Sequence, residues 1–242
     1  MNLALAHARA QTLALLRYPS FSVPTLALPA IFFVFFGLPR AQHQPNVLLA
    51  SYCAYAVLSV AFFQFGVGIA QERARPWELY LRTLPVGVGV RLCARALSAS
   101  LFAAASLAIV LAVIVPTTTV SLSAREWLRL ALVLLTGGVT FIGLGIALGY
   151  WVPARSALPV ANILYLSLAY VGGLWTGPQG IPPAVSRLSS GLPTRLWGDL
   201  LWAAATDEPW RAAYGLFLAA YSATFAALAV WGYRRDEGHR FR

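Results

Sequence analysis

The sequence contains no lysine, and this absence excludes two kinds of chemistry. A P-loop needs a lysine to hold the phosphates of its nucleotide, so the chain carries no P-loop nucleotide site of its own. Covalent catalysis through a Schiff base also requires a lysine amine. All 18 basic residues are therefore arginines, and together with eight acidic residues they give a net charge of +10.

Charge of either sign is scarce. Only 11% of the residues are charged and 59% are hydrophobic, whereas a soluble domain has about 25% charged residues. The charges cluster in short segments that are separated by uncharged runs of about twenty residues, the length of helix that crosses a hydrocarbon core about 30 Å thick. The sequence therefore predicts an all-α integral membrane protein. Its arginines are expected to face anionic lipid headgroups, and no nucleic acid partner is predicted.

The residue types that build metal and acid–base sites are few and scattered. His7, His43 and His239 lie in the polar margins of different segments without cysteine or carboxylate partners, so no metal site is predicted. Cys53 and Cys93 lie in or beside apolar runs and show no disulfide or metal spacing. No acidic residue lies in the middle of an apolar run, which argues against proton- or sodium-coupled transport.

Six apolar segments predict six transmembrane helices within a single domain, residues 1–242. They cover approximately residues 21–38, 47–70, 92–115, 127–152, 158–175 and 212–233. An even number of spans puts both termini on one side of the membrane. Twelve arginines fall in the segments on that side and six on the other, which favours cytoplasmic N- and C-termini in a multi-pass inner or plasma membrane protein.

Residues 1–18 predict an amphipathic helix that lies in the membrane surface. Its apolar face collects Leu3, Ala6, Ala10, Leu13 and Leu16. In the fourth apolar segment, Gly145 and Gly149 show the small-xxx-small spacing that lets two helix backbones approach closely. We interpret these glycines as packing residues.

Residues 177–210 are too polar to span a membrane and too apolar for a free loop. Pro182 and Pro183 suit the start of a helix. Four leucines then recur at helical spacing, with two tryptophans interpreted as interfacial anchors: Leu192, Leu196, Leu200, Leu201, Trp197 and Trp202. The pattern predicts one or two short helices that re-enter the outer leaflet, and a loose surface loop is the alternative.

The segment QERARPWELYLRTLPV, residues 71–86, interrupts two apolar runs with charged and aromatic residues. Pro76 and Pro85 delimit a two-turn amphipathic helix over residues 76–84. One apolar face collects Trp77, Tyr80, Leu81 and Leu84. So short a helix is not stable alone in water, so it must pack against lipid or against a groove in a partner protein.

This segment resembles the first cytoplasmic loop of the ABC-2-type permeases, the membrane subunits of ABC exporters of drugs, lipids and polysaccharides. In that family a Glu-Arg pair after the second span leads into a short coupling helix, and a Thr-Pro-Val-like end leads into the third span. Glu72 and Arg73 match the pair, and residues 83–86 approximate the end. Pro76 departs from the family, in which many members carry glycine, and it should stiffen the start of the helix.

The resemblance implies a transport subunit that is not itself an enzyme and that holds no cofactor. ATP and magnesium would be bound by two cytoplasmic ABC ATPase subunits, and the chain would pair with a second permease, either an identical copy or a sister chain. The cargo would be an apolar or amphiphilic drug, lipid or glycoconjugate. The predicted contacts with the ATPase are Glu72, Arg73, Trp77, Glu78, Tyr80, Leu81 and Arg82.

A substrate path between protomers is a weaker prediction. Its candidate residues are polar or aromatic and lie at membrane depth: Phe62, Gln64, Asn162 and Tyr165. Each of them is also explained by packing or by hydrogen bonds between helices. Two other classes of function remain open. One is a passive channel or lipid scramblase that needs no ATPase. The other is an intramembrane enzyme, against which the absence of a histidine base from the apolar runs argues.

Overall fold

The computed structural model describes residues 3–17, 19–74 and 88–240, and the regular elements within these ranges are helices. The prediction of an all-α protein is thus confirmed for this part of the chain. The helices are α1 (Leu3–Leu16), α2 (Pro19–Leu26), α3 (Leu28–Arg40), α4 (Pro45–Arg73), α5 (Val88–Thr117), α6 (Ala124–Trp151), α7 (Ala154–Val171), α8 (Pro183–Ser189), α9 (Pro193–Ala205) and α10 (Ala212–Arg240).

Four helical segments within the described ranges are long and apolar enough to cross a membrane. They are Pro45–Arg73, Cys93–Thr117, Ala124–Trp151 and Ala212–Asp236, which correspond to the second, third, fourth and sixth predicted segments. α3 is apolar but shorter, and the 18-residue helix α7 is not among the four. The count of six spans therefore stays a prediction.

The first predicted segment, residues 21–38, is not one regular helix. α2 ends at Leu26, and α3 begins at Leu28 and passes through π-helical and 3-10 turns before it ends at Arg40. Pro29 explains the interruption because it has no N–H to donate to the carbonyl of Thr25. That carbonyl accepts instead from Ser59 Oγ (2.8 Å) and Ser106 Oγ (3.0 Å) on neighbouring helices. Neighbours thus satisfy the carbonyl that the proline leaves free, as prolines within membrane helices require.

α4 is the central helix of the fold. In its most apolar 18-residue window 94% of the residues are buried, compared with 11% for the corresponding window of α10. α4 contacts α2, α3, α5, α6, α7 and α9, and a helix that is apolar all round is expected to be surrounded in this way. Between Ala61 and Val67 it widens into π-helical turns, a feature that is frequent at functional sites.

The glycines of α6 allow this widened part of α4 to approach closely. A methyl group on Gly145 would lie 2.1 Å from the carbonyl oxygen of Ala61. A methyl group on Gly149 would lie 3.0 Å from the carbonyl oxygen of Gly66. The geometry confirms the interpretation of these two glycines as packing residues.

The tryptophans of α9 correct one expectation from the sequence. Trp197 and Trp202 are buried in the protein, with exposed fractions of 0% and 5%, and the interpretation as interfacial anchors is wrong. Trp197 Nε1 donates to the carbonyl of Val133 (2.8 Å), and Trp202 Nε1 donates to Ser51 Oγ (2.7 Å). Each indole N–H finds an acceptor inside the fold, so neither side chain needs the membrane interface.

α1 packs along α5 through the face that carries Ala8 and Thr12. Leu5, Leu13 and Leu16 lie on its exposed side. An exposed apolar side is what a helix at a membrane surface presents to lipid.

A Gly145→Ala substitution is expected to lower the stability of the protein. The added methyl group meets a backbone carbonyl that cannot rotate away, and overpacking of this kind costs about 1–3 kcal/mol. The matched control is Gly215→Ala in α10, where an added methyl group meets no atom within 4 Å and alanine is the better helix former by roughly 0.5–1 kcal/mol. Thermal unfolding of both variants in mild detergent measures the difference, and equal melting temperatures would show that α4 and α6 are not tightly apposed.

Candidate functional site

The candidate site lies at the C-terminal end of α4, where the chain leaves the helix bundle. Glu72 and Arg73 occupy the last turn of α4. The rest of the predicted contact segment lies outside the described residues, including the whole helix 76–84 with Trp77, Glu78, Tyr80, Leu81 and Arg82. What the structure describes is therefore the point at which that segment joins the bundle.

Glu72 is bound inside the chain by two other helices. Its Oε1 accepts from Gln11 Nε2 of α1 at 3.1 Å, and its Oε2 accepts from Arg95 Nη2 of α5 in a direct ion pair. The two charged side chains are 33% and 14% exposed. Water therefore screens this pair less than it screens a pair on the open surface.

Arg95 connects the end of α4 to its π-helical part. While Nη2 binds the Glu72 carboxylate, Nη1 donates to the carbonyl of Gln64 at 3.2 Å. The buried side chain of Gln64 in turn donates through Nε2 to Ser98 Oγ on α5 at 3.0 Å. Thr12 Oγ1 of α1 lies 3.0 Å from the same hydroxyl. A continuous chain of polar contacts therefore joins α1, α4 and α5.

Arg73 points to the other two helices that meet at this end. Its Nη1 donates to Asp236 Oδ1 of α10 and to the carbonyl of Tyr150 of α6, both at 2.9 Å. Its guanidinium also lies over the ring of Tyr150, 5.3 Å from the ring centroid. Arg73 and Asp236 are only 17% and 16% exposed, so this ion pair is also shielded from water.

Two consecutive residues thus hold four helices to the end of α4. Glu72 reaches α1 and α5, while Arg73 reaches α6 and α10. We refer to Glu72, Arg73 and their partners Gln11, Arg95 and Asp236 as the basal network. Any force on the chain immediately after Arg73 acts on a turn of helix that is bonded to four others.

The sequence identified Glu72 and Arg73 but not the partners that bind them. Gln11, Arg95 and Asp236 lie 61, 23 and 163 residues away from their partners. Arg95 did carry a signal, because it is a charged residue within the third apolar segment, residues 92–115, and such residues usually pair. Pairing across such distances could not be read from local spacing.

The candidates for a substrate path lie in packed surroundings. Phe62 and Tyr165 are fully buried and near each other, with ring centroids 6.4 Å apart. Tyr165 also stacks on Tyr55 at 4.5 Å with nearly parallel rings. Asn162 Nδ2 donates to the carbonyl of Leu158 in its own helix at 3.1 Å. With the buried hydrogen bond of Gln64, these contacts fit the packing interpretation, and a role in a substrate path stays a prediction.

Comparison with known proteins identifies relatives over nearly the whole chain. The model of a family described as ABC-2 type transporter matches residues 4–203. A protein of Bacillus subtilis (strain 168) named "Putative transport permease YvfS" is 24% identical over 245 residues, which cover 98% of this chain and 99% of that protein. No solved structure matches the chain significantly.

A double-mutant cycle on Glu72 and Arg95 is expected to show energetic coupling. Glu72→Gln, Arg95→Gln and the double variant should give a coupling free energy of about 1 kcal/mol or more, because the pair is partly buried and connected to further hydrogen bonds. Unfolding of the four proteins in detergent measures it.

The matched control for this cycle is the pair Arg125 and Asp207. These side chains lie 3.4 Å apart but are 73% and 45% exposed, and exposed pairs contribute little. The same two-residue cycle should there give a coupling near zero. Additive effects of Glu72→Gln and Arg95→Gln would contradict a structural role for the basal network.

Proposed function

We propose that this chain, which belongs to the ABC-2 type transporter family, is the membrane subunit of an ATP-driven exporter. A separate ATPase supplies the energy, and the cargo is an apolar or amphiphilic drug, lipid or glycoconjugate. The absence of lysine from the sequence leaves the chain without a P-loop, which fits the assignment of ATP hydrolysis to a partner.

The single observation that carries this proposal is the basal network. The segment predicted to contact the ATPase begins with Glu72 and Arg73, and these two residues are bonded to α1, α5, α6 and α10. A displacement of that segment by a partner would therefore reach four helices through short, partly buried contacts. A coupling element needs such a connection to the membrane helices.

The residues predicted to contact the ATPase have two different roles in this proposal. Trp77, Glu78, Tyr80, Leu81 and Arg82 form the surface that docks against the ATPase, because aromatic and arginine side chains dominate the energetics of protein interfaces. Glu72 and Arg73, which have partners inside the chain, hold the base of that surface while one edge of Glu72 stays accessible to the ATPase.

The proposed topology has six spans and cytoplasmic termini. Two contacts support it, since Gln11 of α1 binds Glu72 and Asp236 of α10 binds Arg73. Both ends of the described chain thus meet at the end of the bundle from which the docking segment departs. The proposed assembly contains two permease chains, identical or sister, and two ATPase subunits.

The double variant Trp77→Ala, Glu78→Arg is expected to abolish association with the ATPase while it leaves insertion into the membrane intact. The variant removes an apolar anchor and reverses a charge on the proposed docking surface. Purification of the tagged chain in mild detergent, followed by detection of the ATPase subunit and of ATP hydrolysis, measures the effect.

The matched control is Trp210→Ala, Glu208→Arg, which makes the same two replacements at the far end of the bundle and should leave association unchanged. Normal association of the Trp77 and Glu78 variant would refute the docking role. If no ATPase accompanies even the unmodified chain, a passive channel or scramblase becomes the better interpretation.

A further inference from the structure

A polar cavity lies at the end of α4 opposite to the basal network. Its volume is about 640 Å³, and it is lined by residues 43–47 around the start of α4, by Pro178 and Gln179, by one side of α9 and by five residues between Thr206 and Tyr214. The 29 residues of α4 separate it from Arg73 by about 40 Å at the rise of an α-helix. The coupling role proposed above does not involve this cavity.

Arg195 on α9 lines the cavity, and contacts within its own helix hold its guanidinium in place. Its Nε donates to Asp199 Oδ1 at 3.1 Å, and its guanidinium lies 4.9 Å from the ring centroid of Trp202, which is itself hydrogen-bonded to Ser51. Its Nη1 is buried and has no hydrogen-bond partner among the described residues. Because Arg195 lines the cavity and only its Nε donates to a described residue, its guanidinium retains donor capacity for an oxyanion that enters the cavity.

The rim of the cavity is also held in place. Arg129 of α6 pairs with the Asp207 carboxylate, donates to the carbonyl of Glu208 and lies 4.9 Å from the ring centroid of Trp210. Asp207 itself adopts a left-handed backbone conformation, with φ of 53°, which the short polar side chain of aspartate tolerates. The turn that carries Glu208 is thus fixed before any ligand arrives.

The charges around the cavity are of both signs. Arg211 donates to the neutral hydroxyl of Tyr214 at 2.9 Å, and no salt bridge joins it or Glu208 to another described residue. Asp199 is engaged with Arg195, and burial raises the pKa of the Asp199 carboxyl. Two guanidinium groups and one carboxylate are therefore available to a ligand.

We propose that this cavity binds a small zwitterionic headgroup, with its phosphate or carboxylate on Arg195 and Arg211 and its ammonium group toward Glu208. Guanidinium groups bind such oxyanions through strong charge-assisted hydrogen bonds. A multiply charged anion fits less well because the carboxylate of Glu208 repels it. The headgroup belongs either to a membrane lipid or to a soluble zwitterion.

The test is a binding titration on the purified full-length chain, with any subunits that accompany it, in an uncharged glucoside detergent. Three probes are compared: phosphoethanolamine, dihexanoyl phosphatidylethanolamine and inorganic phosphate. Isothermal calorimetry reports the affinity of each probe. Binding of phosphoethanolamine indicates that the headgroup alone suffices, whereas binding of the lipid alone indicates a phospholipid as the source.

Arg195→Gln should weaken the binding of either zwitterionic probe by about tenfold or more, since a hydrogen bond to a charged group of roughly 1.5–3 kcal/mol is lost. Glu208→Gln should weaken the zwitterionic probes but leave inorganic phosphate unchanged or tighter. The matched control is Arg187→Gln, the same replacement of an exposed arginine on α8 outside the cavity lining. It should have no effect.

Absence of binding by both zwitterionic probes, or an equal loss in Arg187→Gln, would overturn the proposal. Arg195→Gln could lower the melting temperature so far that binding cannot be measured. Arg211→Gln then decides, because it removes the second guanidinium from an exposed position. An unchanged affinity of the Arg211→Gln variant for the zwitterionic probes refutes the site. The titration requires neither ATPase nor ATP. A negative result therefore leaves the proposed export function standing, and failure of ATPase association leaves the headgroup site standing.

Discussion

The burial of α4 is the constraint on which the rest of the fold depends. A helix that is surrounded over most of its length has little access to water, so its polar side chains depend on partners within the protein. Ser51 accepts from Trp202 of α9, Ser59 donates to the carbonyl that Pro29 leaves free in the first segment, and Gln64 donates to Ser98 of α5. The placement of α2, α5 and α9 thus follows from the polar side chains of α4, and the placement of α6 follows from the glycines that let it approach.

The same helix joins the two regions for which functions are proposed. Its first turn contributes to the polar cavity and its last turn carries Glu72 and Arg73 of the basal network, and arginine contacts hold both regions in place. Between them the helix widens into π-helical turns, and Arg95 bonds to a carbonyl of that part as well as to Glu72. The cavity and the proposed docking segment are therefore attached to one continuous, buried element, which is the arrangement that mechanical communication between them would need.

Local patterns predicted the composition of the candidate site only in part. Glu72 and Arg73 were visible as a charged pair between two apolar runs, because a charge is costly in a membrane helix and stands out from it. Their partners come from α1, α5 and α10, and nothing in local spacing relates residues that lie 61 or 163 positions apart. The interpretation of Trp197 and Trp202 as interfacial anchors was wrong for a similar reason. An indole beside polar residues suits both the membrane interface and the protein core, and only the acceptors at Val133 and Ser51 decide between the two.

The sequence by itself determined the helical class, the four segments that are long and apolar enough to cross a membrane, the close packing at Gly145 and Gly149, and the kinship with the ABC-2 type transporters. Each follows from composition or short-range spacing, because long uncharged runs and glycine repeats act within a single helix or helix pair. Only the tertiary structure decided which helix lies at the centre, how the first segment is interrupted, and which residues Glu72 and Arg73 bind. Those outcomes depend on hydrogen bonds between distant parts of the chain, and such bonds exist only once the helices have packed.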